Sequence, residues 1–117
     1  MQMNWIKCQG NVWCNLHTVD LNHSHFNNLE GVYIIWHGGS NPKTVYVGQG
    51  NIRERLTQHR SNAQIQLYSG LGLFVTWASV SSLHRDGVER FLADNLHPLV
   101  GHVYPTAMPI QVIIPWA

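Results

Sequence analysis

The alternation of apolar and polar positions divides the chain into short strands and two helices. Residues 11–19 (NVWCNLHTV) alternate loosely, the period of a half-buried strand. Asn22 to Asn28 is polar and rich in histidine, a loop composition. Val32 to Trp36 is an unbroken β-branched and aromatic run, which predicts a buried strand. The turn residues from His37 to Pro42 follow, and Thr44 to Val47 completes a hairpin. Asn51 and Glu54 have the form of a capping box and open a helix. On it Ile52, Leu56 and Ala63 form one stripe, with Arg55, His59 and Asn62 beside it. Gly70-Leu71-Gly72 breaks the chain before a strand over Leu73 to Val80. A second helix lies between Ser82 and Leu96, buries Val88, Phe91, Leu92, Asn95 and Leu96, and is stopped by Pro98. A last strand is expected over Ile110 to Ile114, between Pro109 and Pro115.

This order predicts an α+β domain. A small central antiparallel or mixed sheet, about three core strands plus terminal strands, is flanked by helices. With 117 residues and no internal repeat, one domain over 1–117 is expected. Composition agrees: 44% of residues are hydrophobic and only 11% charged, which excludes disorder of the highly charged kind. No apolar run reaches the ~20 residues of a membrane span, and the N-terminus does not read as a secretory signal, so no membrane partner and a cytoplasmic location are expected. Cys8 and Cys14 lack the spacing of a zinc or redox pair and read as reduced thiols. The net charge of +1 leaves nucleic-acid binding to a local patch, for which Arg53, Arg55, His59 and Arg60 are the candidates.

Chemistry enters with two tripeptides at the hairpin, Gly31-Val32-Tyr33 and, twelve residues on, Tyr46-Val47-Gly48. Arg55 and His59 follow on the first helix and Glu89 on the second. From about residue 29 to 101 this succession resembles the GIY-YIG nuclease superfamily, with its elements in the family order. The resemblance implies a GIY-YIG-like fold and a divalent-metal-dependent endonuclease. It implies that Arg55 stands for the family's arginine, His59 for a position held by His or Tyr, and Glu89 for the metal-binding glutamate. Val replaces Ile in both tripeptides, Gln49 stands where some relatives have Lys, and Gly101 where the family often has Asn.

The same residues suit the reaction on chemical grounds. Hydrolysis of a phosphodiester needs an activated water and charge neutralisation at the phosphate. Mg²⁺ or Mn²⁺ binds through oxygen and keeps several waters, so Glu89 alone suffices as protein ligand. Arg55 offers a permanently charged fork to two phosphate oxygens. Tyr46, or less favourably Tyr33, takes or relays the proton of the attacking water, and His59 assists. DNA is the expected partner, with RNA as an alternative.

Structural readings stand beside these. The tyrosines fill a core in the first, Asp86 and Glu89 form a capping box in the second, and Arg55 is a solvated helix charge in the third. Two other functions are open: a nucleic-acid-binding module of the same fold without cleavage, and a histidine-rich metal protein. The latter would use His23 and His25 with His17 or Cys14 for zinc. The short flanks leave specificity to DNA structure, a partner protein or a homo-oligomer.

Overall fold

The computed structural model describes residues 1–116. The run from Val32 to Trp36 lies within strand β2, Glu30–His37, near the middle of a four-stranded sheet. β3, Lys43–Asn51, pairs with one side of it and β4, Leu73–Ser79, with the other; β1, Cys14–Asn15, lies outside β4. The order is β1-β4-β2-β3 and every pairing is antiparallel, so the mixed alternative is excluded. Three helices complete the α+β domain: α1, Ile52–His59; α2, Ala63–Gln66; and α3, Ser82–Leu96.

The continuous apolar run of β2 has a simple cause, since both faces of the sheet are covered. Tyr33 and Ile35 point into a core closed by Ile52 and Leu56 of α1 and Ile65 of α2. Val32 and Ile34 point the other way, onto Val88 and Leu92 of α3. No helix is long and apolar enough to cross a membrane, among the described residues.

Several boundaries differ from the sequence reading, each for a local reason. β1 is two residues long because Asn15 turns the chain: its side-chain oxygen accepts from His17 N at 2.8 Å. The first helix ends at His59, and the Asn62 side chain caps a new turn through Ile65 N at 3.1 Å. Ile65 is therefore the buried residue and Ala63 is exposed. Asp86 and Glu89 form no capping box, because α3 begins at Ser82 and runs past both. Asn95, expected in the core, is exposed.

Ile110 to Ile114 is not a strand. It crosses α3, where Ile110 N donates to Gly87 O at 2.9 Å and Val112 is buried. A Cβ on Gly87 would come within 2.6 Å of the Ile110 side chain, so this mid-helix glycine marks the crossing. Cys8 and Cys14 are not free thiols; a disulfide joins them and closes the hairpin that carries the Cys8–Val12 bridge.

Candidate active site

Alternation along β2 sends Tyr33 toward α1, where it is 1% exposed. Its hydroxyl lies 2.6 Å from Nε2 of His59, which is itself buried in the last turn of α1. Gly48 is the ladder partner of Tyr33, and a Cβ there would overlap the phenol. Only glycine lets the Tyr33 ring lie across β3.

Tyr46 lies on the same face because it pairs with Ile35, and the ladder becomes irregular just beyond it. Trp36 pairs with Thr44, which leaves Val45 as an extra residue. Such a bulge re-aims a side chain. Val45 is fully buried in the α1-side core, and Tyr46 packs half-buried beside it. The Tyr46 ring stacks on Tyr33 at 6.1 Å and meets His59 at 4.4 Å.

Glu89 arrives from the other face of the sheet. It projects from α3 toward β3 and is only 2% exposed. Its Oε1 accepts from Gln49 Nε2 at 3.2 Å, and the same nitrogen donates to Asp86 Oδ1 at 2.8 Å. Its Oε2 is buried without a hydrogen bond, an arrangement that usually costs about 1–3 kcal/mol or more. The site thus straddles edge strand β3, with tyrosines on one side and the carboxylate on the other.

Burial, then the charges of Tyr46 and Glu89, push the Tyr33 phenol far above its ordinary range, and Arg55 opposes only in part. Tyr46 is raised by burial and by Glu89, again against Arg55. Burial, Arg55 and His102 lower His59 to about 4, so it is neutral in the folded protein. Glu89 is raised by burial, an effect that the Gln49 hydrogen bond and His102 reduce.

Arg55 is exposed and makes no ion pair among the described residues. It lies along the backbone of Gly50, whose φ is +130°; a Cβ there would be 3.0 Å from Arg55 Nε. Its charge acts on Tyr33, Tyr46, His59 and Glu89 together. The other two arginines of the expected patch hydrogen-bond to neutral oxygens of the N-terminal loops. Arg53 donates to Leu21 O, His23 O and Asn27 Oδ1, and Arg60 to Leu16 O and Val19 O. Both tie the N-terminal loops to α1.

All five expected residues therefore gather at one place: Tyr33, Tyr46, Arg55, His59 and Glu89. His59 belongs to the buried cluster, not to the helix surface. Two neighbours were missed. His102 stacks on Tyr46 at 5.0 Å, its Nε2 lies 2.9 Å from Val47 O and 3.9 Å from Glu89 Oε2, and Tyr104 packs on it at 4.2 Å. The only signal for them was two ring-bearing residues at i and i+2, which share a face in an extended segment. Gly101, where the sequence reading looked for Asn, is exposed and precedes the residue that enters the site.

Among the described residues no three His, Cys, Asp or Glu side chains converge as a metal cage. Cys14 is in the disulfide, and His25 Nε2 accepts from Trp77 Nε1 at 3.0 Å, so the zinc set proposed around His23 and His25 is not assembled. No protein-family model, curated protein or solved structure matches the chain.

Proposed function

We propose that this chain is a divalent-metal-dependent endonuclease of the GIY-YIG type, acting on DNA, with RNA as the alternative substrate. One observation carries the reading. A carboxylate, Glu89, is 2% exposed with one oxygen lacking any hydrogen bond, beside Tyr46 and within the field of Arg55. An unpartnered carboxylate oxygen is the kind of ligand that a hard cation takes. Glu89 would hold Mg²⁺ or Mn²⁺, which when bound supplies Lewis acidity and offsets charge at the phosphate.

The remaining work falls to side chains of the chain itself. Arg55, exposed and unengaged by any acid among the described residues, grips the scissile phosphate through its fork. Tyr46 is the half-buried phenol and the better placed base; Tyr33 is sealed beneath it. To accept a proton Tyr46 must first ionise. Burial and Glu89 oppose this, whereas Arg55 favours it. Neutralising Glu89 removes one of the two opposing causes, so metal site and base are coupled. Tyr33 and His59 hold the Tyr46 ring from behind.

A second reading is a binding module without cleavage. His102 favours it, because its Nε2, 3.9 Å from Glu89 Oε2, occupies space beside the oxygen that a metal would need. The cytoplasmic location expected from the sequence stays a proposal independent of the enzyme reading, and the Cys8–Cys14 disulfide counts against that location, since reducing compartments keep such pairs open. The deciding experiment is a cleavage panel of single-stranded, duplex and branched DNA with Mg²⁺ or Mn²⁺, comparing wild type with Glu89→Gln. Metal-dependent cleavage abolished by that change supports the enzyme. Binding without cleavage on every substrate supports the module.

A further inference from the structure

Three of the chain's five tryptophans gather away from the tyrosines, at the start of β3. Trp13, Trp36 and Trp116 line a cleft of about 630 Å³ together with Lys43, Leu96 and Leu99. Trp36 is a fixed platform, stacked on Phe74 at 5.9 Å. Trp13 and Trp116 stand edge-on to it, with centroids 5.5 and 5.1 Å away and interplanar angles of 88° and 62°. The three rings together give the cleft an aromatic lining. Its charge is one-sided: Lys43 lines it and no lining residue is acidic.

The cleft and the candidate active site share one seam. Along α3, Leu96 at the cleft is seven residues from Glu89, about 10 Å at the helical rise of ~1.5 Å. Along β3, Lys43 is three residues from Tyr46, again about 10 Å at ~3.3 Å per residue. Leu99 leads from the cleft to His102 in the site, by way of Val100 on the rim of β3. The separation corresponds to roughly three stacked nucleotides at ~3.4 Å each, and fewer in an extended strand.

We infer that this tryptophan cleft is a stacking site for an unpaired nucleobase of the substrate strand, a few nucleotides from the phosphate that is cut. The ligand class rests on the nuclease reading. Aromatic rings flanked by lysines are how proteins hold single strands, because every base has a π-face and every linkage a charge. A paired base inside a duplex cannot enter the cleft. The chain thereby selects single strands, flaps or junctions by their unpaired nucleotides.

The test is a binding titration without metal, which separates it from cleavage. Three probes are used: an oligothymidylate of about twelve nucleotides, an abasic strand of that length, and a duplex of that length. Tryptophan fluorescence should be quenched by the oligothymidylate, and the abasic strand and duplex should bind roughly five- to a hundredfold more weakly. Trp13→Ala should lose a similar factor for the oligothymidylate, with Trp13→Phe intermediate. Lys43→Ala should reduce the salt dependence of binding by about 0.7 in logarithmic slope. Equal affinity for abasic and normal strands, or an unchanged Trp13→Ala, overturns the inference. Strong oligothymidylate binding with no cleavage under any metal sinks the nuclease reading and leaves the stacking site standing. Cleavage with no dependence on Trp13 does the reverse.

Discussion

The hydroxyl of Tyr33 and Nε2 of His59 lie 2.6 Å apart, joining the central strand to the last turn of α1 in the interior. The other ring nitrogen of His59 is buried with no partner. A charged imidazole is thus doubly penalised there, by lost water and by Arg55 and His102 nearby.

Acid should reveal this. With a folded pKa of about 4 against an ordinary 6.5, the unfolded chain binds the proton more readily, so stability is full above pH 6.5 and falls toward pH 4. The loss amounts to about 3 kcal/mol, at ~1.4 kcal/mol per pH unit. Glu89, raised by burial, acts in the opposite direction as pH rises above its ordinary 4.5, so the comparison must be with His59→Asn. Urea unfolding of both proteins across this range should show a steeper decline in wild type. Parallel curves would remove His59 as the cause.

Replacing Gly48 by alanine places a methyl group in the space of the Tyr33 ring. Destabilisation of about 1–3 kcal/mol is expected, as for overpacking elsewhere. The near-ultraviolet circular dichroism of the tyrosines should change with it. A variant as stable as wild type would mean that the strand moves aside.

Glu89→Gln should stabilise the protein while ending cleavage. The carboxylate is held above its ordinary pKa by burial, so at pH 8 its ionised form is a cost that the neutral amide lacks. Metal should show the reverse pattern. Mg²⁺ or Mn²⁺ at about tenfold its Kd should add about 1.4 kcal/mol to wild type and nothing to the variant. Differential scanning calorimetry with and without metal checks both. Equal metal stabilisation of the two proteins would place the ion elsewhere.

Arg55 carries the opposite expectation. It is exposed and takes part in no ion pair among the described residues, so Arg55→Ala should leave unfolding within about 0.5 kcal/mol of wild type. Cleavage should drop by roughly 10²–10³, and Arg55→Lys should recover only part, because a point charge cannot bridge two oxygens. Full activity in the alanine variant would remove Arg55 from the mechanism.

What could be read from the sequence was periodic or local. The β2 run, the Asn51 cap and the bounds of α3 each follow from side chains near one another in the chain. The grouping of Tyr33, Tyr46, Arg55, His59 and Glu89 rested on the family resemblance and their order, and the fold does bring them together. Other features depend on partners distant in sequence. Nothing near Arg53 or Arg60 announces that both guanidiniums will hydrogen-bond to carbonyls of the N-terminal loops. Nothing near Ile110 says that it will cross α3 at a glycine. His102 enters the site because residues 99–100 follow β3, a choice made by backbone pairing that side-chain patterns do not encode.

That last pairing has a consequence for assembly. Leu99 N donates to Thr44 O at 3.1 Å and Val100 N to Val45 O at 2.8 Å, and His102 lies on Val47 O. The carbonyls of Thr44, Val45 and Val47 on this side of β3 are therefore already taken by residues 99–102. At the opposite border, β1 offers only two residues. Neither border is a ready template for a strand from another molecule, which is how sheet proteins escape end-to-end polymerisation. A second copy, if one is recruited to help choose the target, must dock through side chains and leave the ladder alone.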